Sequence, residues 1–269
     1  MFHSLTSYLK FLWNSKSQHG VHSPFVYDLV TKCFYDKEKY PEYKVLDIYR
    51  NSLLNNKNTI DVTDFGAGSK VFKSNTRAIN LIAKNAGISS KRAELLFRMV
   101  RYFNSNEILE IGTSLGLATS ALSLGLKANT NNTKLNPDAK IITLEGCAKT
   151  INQCQLQFQK FNFNNVDFIN SKFEEYLLNP KPETRNPKLI YFDGNHSKKA
   201  TLEYFDLLLP TISNDSVWIF DDIHWSLDME QAWEIIKNHP KVVVTIDTFQ
   251  WGIIFFRSEQ IKEHFVIRI

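Results

Sequence analysis

The chain has 269 residues, 43% of them hydrophobic and 22% charged, with a formal net charge of +4. That is enough for one large domain, or one domain with an appendage, around a sizeable core. It excludes a disordered chain, and the absence of a dense Lys/Arg block argues against nucleic acid as a partner. The three cysteines, Cys33, Cys147 and Cys154, form no CxxC pair, which argues against structural zinc or a disulfide framework and for a reducing, cytoplasmic setting. No run of ~18 apolar residues is present to span a bilayer. The first residues lack the basic start, continuous apolar stretch and small-residue cleavage site of a signal peptide.

Residues 1–88 do not alternate cleanly between strand and helix. Helices are expected over 4–14, 24–34 and 41–55, with Pro24 and Pro41 at first-turn positions. Leu5, Tyr8, Leu9, Phe11, Leu12 and Trp13 mark the first of these as an amphipathic helix packed on the rest of the fold. The alternative is a helix that meets a membrane surface or a second copy of the chain, a homodimer. His19 and His22 lie in a loop and have no third ligand nearby, a poor signal for metal. Residues 60–69, IDVTDFGAGS, carry Asp64, Gly66, Ala67 and Gly68 in an arrangement like a nucleotide-binding loop. The basic, polar KVFKSNTRA follows where a small-residue helix should pack, and no acid-ended strand comes within ~20–30 residues. A structural turn near the mouth of a site is the reading we adopt.

From Ser89 and Ser90, which cap a helix over 91–103, the pattern becomes regular. Strands are expected at 107–111, 140–144, 166–169, 189–192 and 217–220. Helices are expected between them at 118–126, 150–161, 173–178 and 199–209. This alternation predicts an α/β fold with a parallel sheet covered by helices on both faces. The polar stretch 127–138, with four asparagines, reads as a surface loop. After a helix at 229–238, strands at 242–246 and 251–256 are joined closely enough to form an antiparallel hairpin. Residues 264–269 add an edge strand or pack on the sheet. Two units result: a mainly helical extension, 1–88, and a ligand-binding domain, 89–269.

The centre of that domain is residues 107–119, EILEIGTSLGLAT: a short apolar strand, a turn bearing Gly112 and Gly116, then a helix. Such a turn brings backbone close to a ligand and aims helix N-terminal N–H groups at an anion. The spacing is GxxxG and not the GxGxxG of a dinucleotide fingerprint. The next strand ends at Glu145, placed to accept ribose hydroxyls at the carboxyl edge of the sheet. Asp193 ends the fourth strand, in LIYFDGNH, and Asp221 and Asp222 end the fifth, in VWIFDDIHW.

The pattern ExGxxxG from Glu110 to Gly116, with an acid closing the following strand, resembles the class I S-adenosylmethionine-dependent methyltransferases across residues 91–256. The resemblance implies a Rossmann-like seven-stranded methyltransferase sheet with a C-terminal antiparallel hairpin. It implies that Gly112, Thr113, Ser114 and Gly116 cradle the methionine part of the cofactor, that Glu110 supports its amino group, and that Glu145 and Gly146 hold the ribose. Ser171 and Phe173 fall beside the adenine, with Lys172 where the family often has an acid. In the family's strand order Asp193, Asp221 and Asp222 gather at one rim, where three like charges need a cation. Oxygen ligation selects a hard divalent ion such as Mg²⁺, and the three acids resemble those of the catechol O-methyltransferases and the metal-dependent sugar O-methyltransferases. His196 stands where the catechol branch has a catalytic lysine, and its ordinary pKa of ~6.5 suits a general base. Asp193 and His196 are thus the expected catalytic pair. His224 and Trp225 are placed to line the acceptor pocket.

The sequence therefore predicts S-adenosylmethionine-dependent O-methylation of a small-molecule hydroxyl, assisted by a divalent metal. The alternatives are a metal-independent methyltransferase on another acceptor, a nucleotide-dependent oxidoreductase using the Asp64 to Gly68 loop, and a non-catalytic protein that keeps the fold. The acceptor is expected to meet residues 1–88 and the loops after the fourth and fifth strands.

Overall fold

Among the described residues, five α-helices and a small hairpin precede the first buried strand. In the computed structural model, residues 2–66, 68, 72–132, 139–180 and 186–269 are described. In chain order the elements are α1 (Phe2–Asn14), α2 (Pro24–Leu29, continued by a π-helical turn over Val30–Phe34), α3 (Pro41–Leu54), β1 (Thr59–Asp61), β2 (Thr76–Ala78), α4 (Ile79–Asn85) and α5 (Ser90–Tyr102). Then follow β3 (Ile108–Ile111), α6 (Leu117–Asn132), β4 (Ile141–Glu145), α7 (Ala148–Lys160), β5 (Val166–Asn170), α8 (Phe173–Leu178), β6 (Leu189–Phe192), α9 (Lys198–Leu208), β7 (Val217–Asp221), α10 (Leu227–Asn238), β8 (Val244–Asp247), β9 (Trp251–Phe255) and β10 (Glu263–Val266). Serines start α2, α5, α9 and α10: the hydroxyls of Ser23, Ser89, Ser197 and Ser226 accept from backbone N–H groups of the first turn.

The main sheet runs β10-β8-β9-β7-β6-β3-β4-β5. All neighbours are parallel except β9, which is antiparallel to both β7 and β8. The predicted hairpin is there, and the edge strand expected from 264–269 is β10, beside the seven others. Strand order reverses between β4 and β6 on either side of β3, which makes the carboxyl ends of β3 and β6 the switch point where an open α/β sheet binds ligand.

Side chains alternate across this sheet with period two. Ile108, Ile141, Leu189, Tyr191, Val217 and Ile219 pack into a core with Leu29, Tyr49, Leu96, Met99 and Leu122. Leu109, Ile142, Ile190, Phe192, Trp218 and Phe220 pack on the other face with Tyr204, Phe205 and Trp233. Helices α2 to α7 thus contribute to the core on one face, and α8, α9 and α10 to that on the other. Residues 1–88, read in the sequence as a unit of their own, share the first of these cores, and Tyr49 Oη donates to the Leu115 carbonyl at 2.7 Å.

Two expectations need correction. The surface loop at 127–138 is helical in its first half: α6 runs to Asn132, so the asparagines continue a helix begun by the strong formers before them; residues 133–138 lie outside the described residues. The structural turn at 60–69 belongs to a hairpin, β1 paired antiparallel with β2, followed by α4. The strands TID and TRA are three residues each and mostly exposed, too short and too polar to show a period. Ala67 and Ser69 lie outside the described residues.

Candidate active site

The carboxyl edge of β3, β4, β6 and β7 opens into a cavity of about 360 Å³. One wall is the glycine turn. Gly112 has φ +106, and a Cβ there would lie 2.2 Å from the carbonyl oxygen of Asp193. Only glycine lets the two strand ends approach this closely. Gly116 has φ +76 and is hemmed in by Cys154, Phe158 and the Tyr49 hydroxyl. The N–H groups of Gly112 and Thr113 both reach the Leu144 carbonyl at 3.0 Å, and the Thr113 hydroxyl lies 2.6 Å from that of Thr143.

Glu145 at the end of β4 accepts from the backbone N–H groups of Ser114 and Cys147, each at 2.9 Å. Burial raises its pKa, while these N–H groups hold it down. Its carboxylate therefore locks the turn and still faces the cavity, which Gly112, Ser114, Glu145 and Gly146 all line. Phe173 lines it too, but Ser171 does not; Ser171 N instead donates to the Glu145 carbonyl. Glu110 sits behind the turn, fully buried, accepting from Thr119 at 2.6 Å and Thr143 at 2.5 Å. It does not line the cavity. Burial pushes its carboxyl up to about 8 against the pull of the two hydroxyls, and its second oxygen has no partner.

The opposite wall carries the strand-end acids. Asp193, Asp221, Asp222, His196 and Trp225 line the same cavity. His196 Nε2 stands 3.4 Å from Asp193 Oδ1, with the two side chains 25% and 16% exposed. Burial favours the neutral form of both groups, and their contact favours the charged pair. Asp193 is raised first by burial and then by the charge of Asp221. Burial lowers His196, but the hydrogen bond and charge of Asp193 outweigh it and hold the imidazole at about 9. A shift up in both partners is not what one shared contact produces. The imidazole is the better home for the pair's proton, because it is the more exposed group and because Asp221 is neutralised as follows.

Asp221, 4% exposed, receives Arg92 Nη1 on Oδ1 at 2.8 Å. Arg92 reaches in from the first turn of α5. Residues 92, 95, 96 and 99 share one helix face, so the guanidinium follows Leu95, Leu96 and Met99 into the interior. Nothing in the motifs pointed to it; the signal was an arginine on an apolar stripe. Among the described residues no group of three or more His, Cys, Asp and Glu side chains is arranged to hold a metal ion. The three acids expected to ligate one do share a rim, but Asp221 is committed to Arg92 and Asp193 to His196. Asp222 has φ +54 and opens a tight turn in which Trp225 N donates to its carbonyl. This donor set does not fit the expected divalent ion.

The β1–β2 hairpin closes the third side. Thr63, Asp64, Phe65, Gly66, Gly68 and Phe72 all line the cavity. Thr63 N donates to Cys147 Sγ at 3.3 Å, and a Cβ on Gly146 would lie 2.8 Å from the Phe65 ring. Arg77 braces the loop, 3.3 Å from Asp64 and 4.9 Å from the Phe72 ring centroid. His224, expected at the acceptor pocket, instead lies between Glu230 at 2.7 Å and Asp247 at 2.8 Å, tying α10 to β8, and does not line the cavity.

Against known proteins, residues 109–223 match the model of a methyltransferase domain family. No curated protein matches the chain. Among solved structures, the S-adenosylhomocysteine-bound methyltransferase PaMTH1 of Podospora anserina is similar with a TM-score of 0.60 and 15% identity, over 88% of this chain and 97% of that one. The O-methyltransferase TomG of Streptomyces achromogenes, involved in tomaymycin synthesis and solved with S-adenosylmethionine, gives 0.56 and 13% over 81% and 91%. An O-methyltransferase of Bacillus cereus in complex with S-adenosylhomocysteine gives 0.53 and 17% over 83% and 96%. Among the described residues no helix is long and apolar enough to cross a membrane. The glycine turn, the strand-end acids and the strand order agree with these likenesses: residues 109–223 match a methyltransferase domain family, and the chain shares the fold of these solved methyltransferases.

Proposed function

We propose that the protein transfers a methyl group from S-adenosylmethionine to a hydroxyl of a small molecule. The observation that carries this is one cavity with two unlike walls. Gly112, Ser114, Glu145 and Gly146 form a cradle for the cofactor's methionine and ribose, and Asp193 with His196 forms a proton-accepting pair beside it. The bound cofactor supplies an electrophilic methyl group on a sulfonium. Glycine at 112 lets the ends of β3 and β6 close against each other and so shapes the cradle, and the Glu145 carboxylate offers lone pairs to the ribose hydroxyls. Phe173 and the described residues of the β1–β2 loop line the cavity beside them.

His196 takes the hydroxyl proton, and Asp193 stabilises the resulting imidazolium. Trp225, with its ring centroid 6.1 Å from that of His196, provides an apolar surface for the acceptor. The O-methyltransferase likenesses favour oxygen as the acceptor atom. Residues 1–88 supply the hairpin and α4 to the cavity and are the portion we assign to acceptor recognition.

The test is calorimetry with S-adenosylmethionine, followed by mass spectrometry of reactions with a panel of hydroxylated small molecules. Binding with a plus-methyl product supports the reading. His196→Ala is expected to lower kcat by about 10²–10⁴-fold while leaving cofactor affinity intact, and the wild-type rate should climb with pH as the raised imidazole loses its own proton. A cleanly folded protein that binds no S-adenosylmethionine would sink the proposal.

A further inference from the structure

The rim formed by Asp193, Asp221 and Asp222 poses an electrostatic problem. Three carboxylates at one mouth repel, and they persist in charged form only beside a compensating cation. The expected solution is a divalent ion bound by oxygen. The molecule holds a different one. Arg92 enters from α5 with its side chain only 18% exposed and meets Asp221 Oδ1 at 2.8 Å. Its guanidinium carbon lies 6.0 Å from the Trp251 ring centroid, and Trp251 is the registered neighbour of Asp221 across β7 and β9. The arginine is therefore seated between α5 and the sheet. It is also coupled by charge to Asp222 and Asp193, which together with Asp221 and Tyr191 outweigh the burial that would lower its pKa.

Two features then work against a divalent ion. One carboxylate oxygen of Asp221, Oδ1, is taken by a cation that cannot be deprotonated in a protein. Asp193 Oδ1 is the oxygen that pairs with His196, so an ion ligated there competes with the imidazole. A divalent ion bridging these acids also faces a guanidinium at contact range. An arginine fits the place because its planar fork holds a carboxylate directionally while its charge is permanent.

We infer that Arg92 is the resident cation of this site, neutralising the Asp193, Asp221 and Asp222 rim in place of a divalent metal ion. Arg92 is a positioning residue. It holds Asp221, relieves its repulsion on Asp193, and so leaves Asp193 free to orient and charge His196. The inference deepens the methyl-transfer reading, and it rests on that reading only for what the neutralised rim is used for.

The experiment is a Mn²⁺ titration of the chelator-treated full-length protein, followed by the paramagnetic resonance signal of free Mn²⁺, with and without S-adenosylhomocysteine. The wild type is expected to take up no more Mn²⁺ than Asp221→Asn. Arg92→Met, which removes the charge, is expected to gain about one Mn²⁺ per chain, and the double variant Arg92→Met/Asp221→Asn to lose it again. A gain of metal binding is not something a merely structural arginine would produce. Uptake of about one Mn²⁺ by the wild type that disappears in Asp221→Asn overturns the inference, as does a folded Arg92→Met that binds none. Folding is checked by circular dichroism. Should Arg92→Met not fold, Arg92→Gln replaces it, and the wild-type titration decides by itself should neither fold. Calorimetry with S-adenosylhomocysteine is run on the same samples. Failure there counts against the cofactor reading and leaves the metal result standing separately.

Discussion

Two glycine-bearing loops line one cavity, and they are held by different means. In the turn from Gly112 to Gly116 the backbone is tied to buried partners: Gly112 and Thr113 to Leu144, Ser114 to Glu145, and the Leu115 carbonyl to Tyr49. The loop that holds Asp64, Gly66 and Gly68 is joined to a two-stranded sheet at the surface, with Phe65 half exposed. Among its described residues the ties include a bond from Gly66 N to Asp64 at 3.1 Å and the Arg77 contact. The letters are alike and the physics is not. The first loop is a rigid wall set by the sheet, and the second is a cover laid on it. Burial of the flanking strand, more than the glycines themselves, decides which is which.

Substituting the glycines exposes the difference most strongly. Both Gly112 and Gly68 have positive φ, +106 and +79, so the backbone cost of adding a Cβ, roughly 1–2 kcal/mol, is common to them. At Gly68 the new atom meets no described residue within 4 Å, whereas at Gly112 it meets the Asp193 carbonyl. Gly112→Ala should therefore cost about 3 kcal/mol or more, and Gly68→Ala only the backbone share. Urea unfolding of the two variants measures this, and equal midpoints would erase the distinction between wall and cover.

The acids of the two loops come next. Glu145→Ala releases Ser114 and Cys147 and removes the ribose acceptor. The loss of a charged hydrogen-bonding group predicts S-adenosylmethionine binding weaker by about 10–100-fold. Asp64→Ala loses a partly exposed ion pair, worth roughly 0–1 kcal/mol, and should change affinity by less than about fivefold. Calorimetry separates the two. A larger loss at Asp64 would make the hairpin, and not the turn, the principal cofactor site.

The last effect is a slope of stability with pH. Glu110 behind the first loop has its pKa raised from the ordinary carboxylate range to about 8 by burial. A carboxyl raised in the folded state keeps a proton that the unfolded chain releases at ~4.3. Its contribution to stability is full below ~4.3 and drains away as pH climbs toward about 8. Glu110→Gln, neutral throughout, should flatten the fall in stability across that window relative to wild type. Parallel curves for the two proteins would show that Glu110 is charged in the fold.

Much of this was legible in the chain itself. The alternating strands and helices from residue 108 onward, the turn at Gly112, and Glu145, Asp193 and Asp221 at strand ends follow from periodicities of two and 3.6, which are local. The C-terminal hairpin follows from the short link between its strands. Of the β1–β2 hairpin, the apolar-leaning strand leading to Asp64 was legible and its partner β2 was not, because a three-residue polar segment carries no period.

What the amino-acid order determined was which residues stand at the carboxyl edge of the sheet. What it left open was how their charges are settled. Arg92 and Asp221 are 129 positions apart, and nothing local to either announces the other. Only the packing of α5 against the sheet brings the guanidinium to the rim. Asp193 and His196, by contrast, are three residues apart and meet through a local turn, and Glu110 is enclosed behind the turn by Thr119 and Thr143. Position along a strand is a property of neighbours in sequence. Charge compensation in a buried site is a property of neighbours in space, because it depends on which helix covers which strand end.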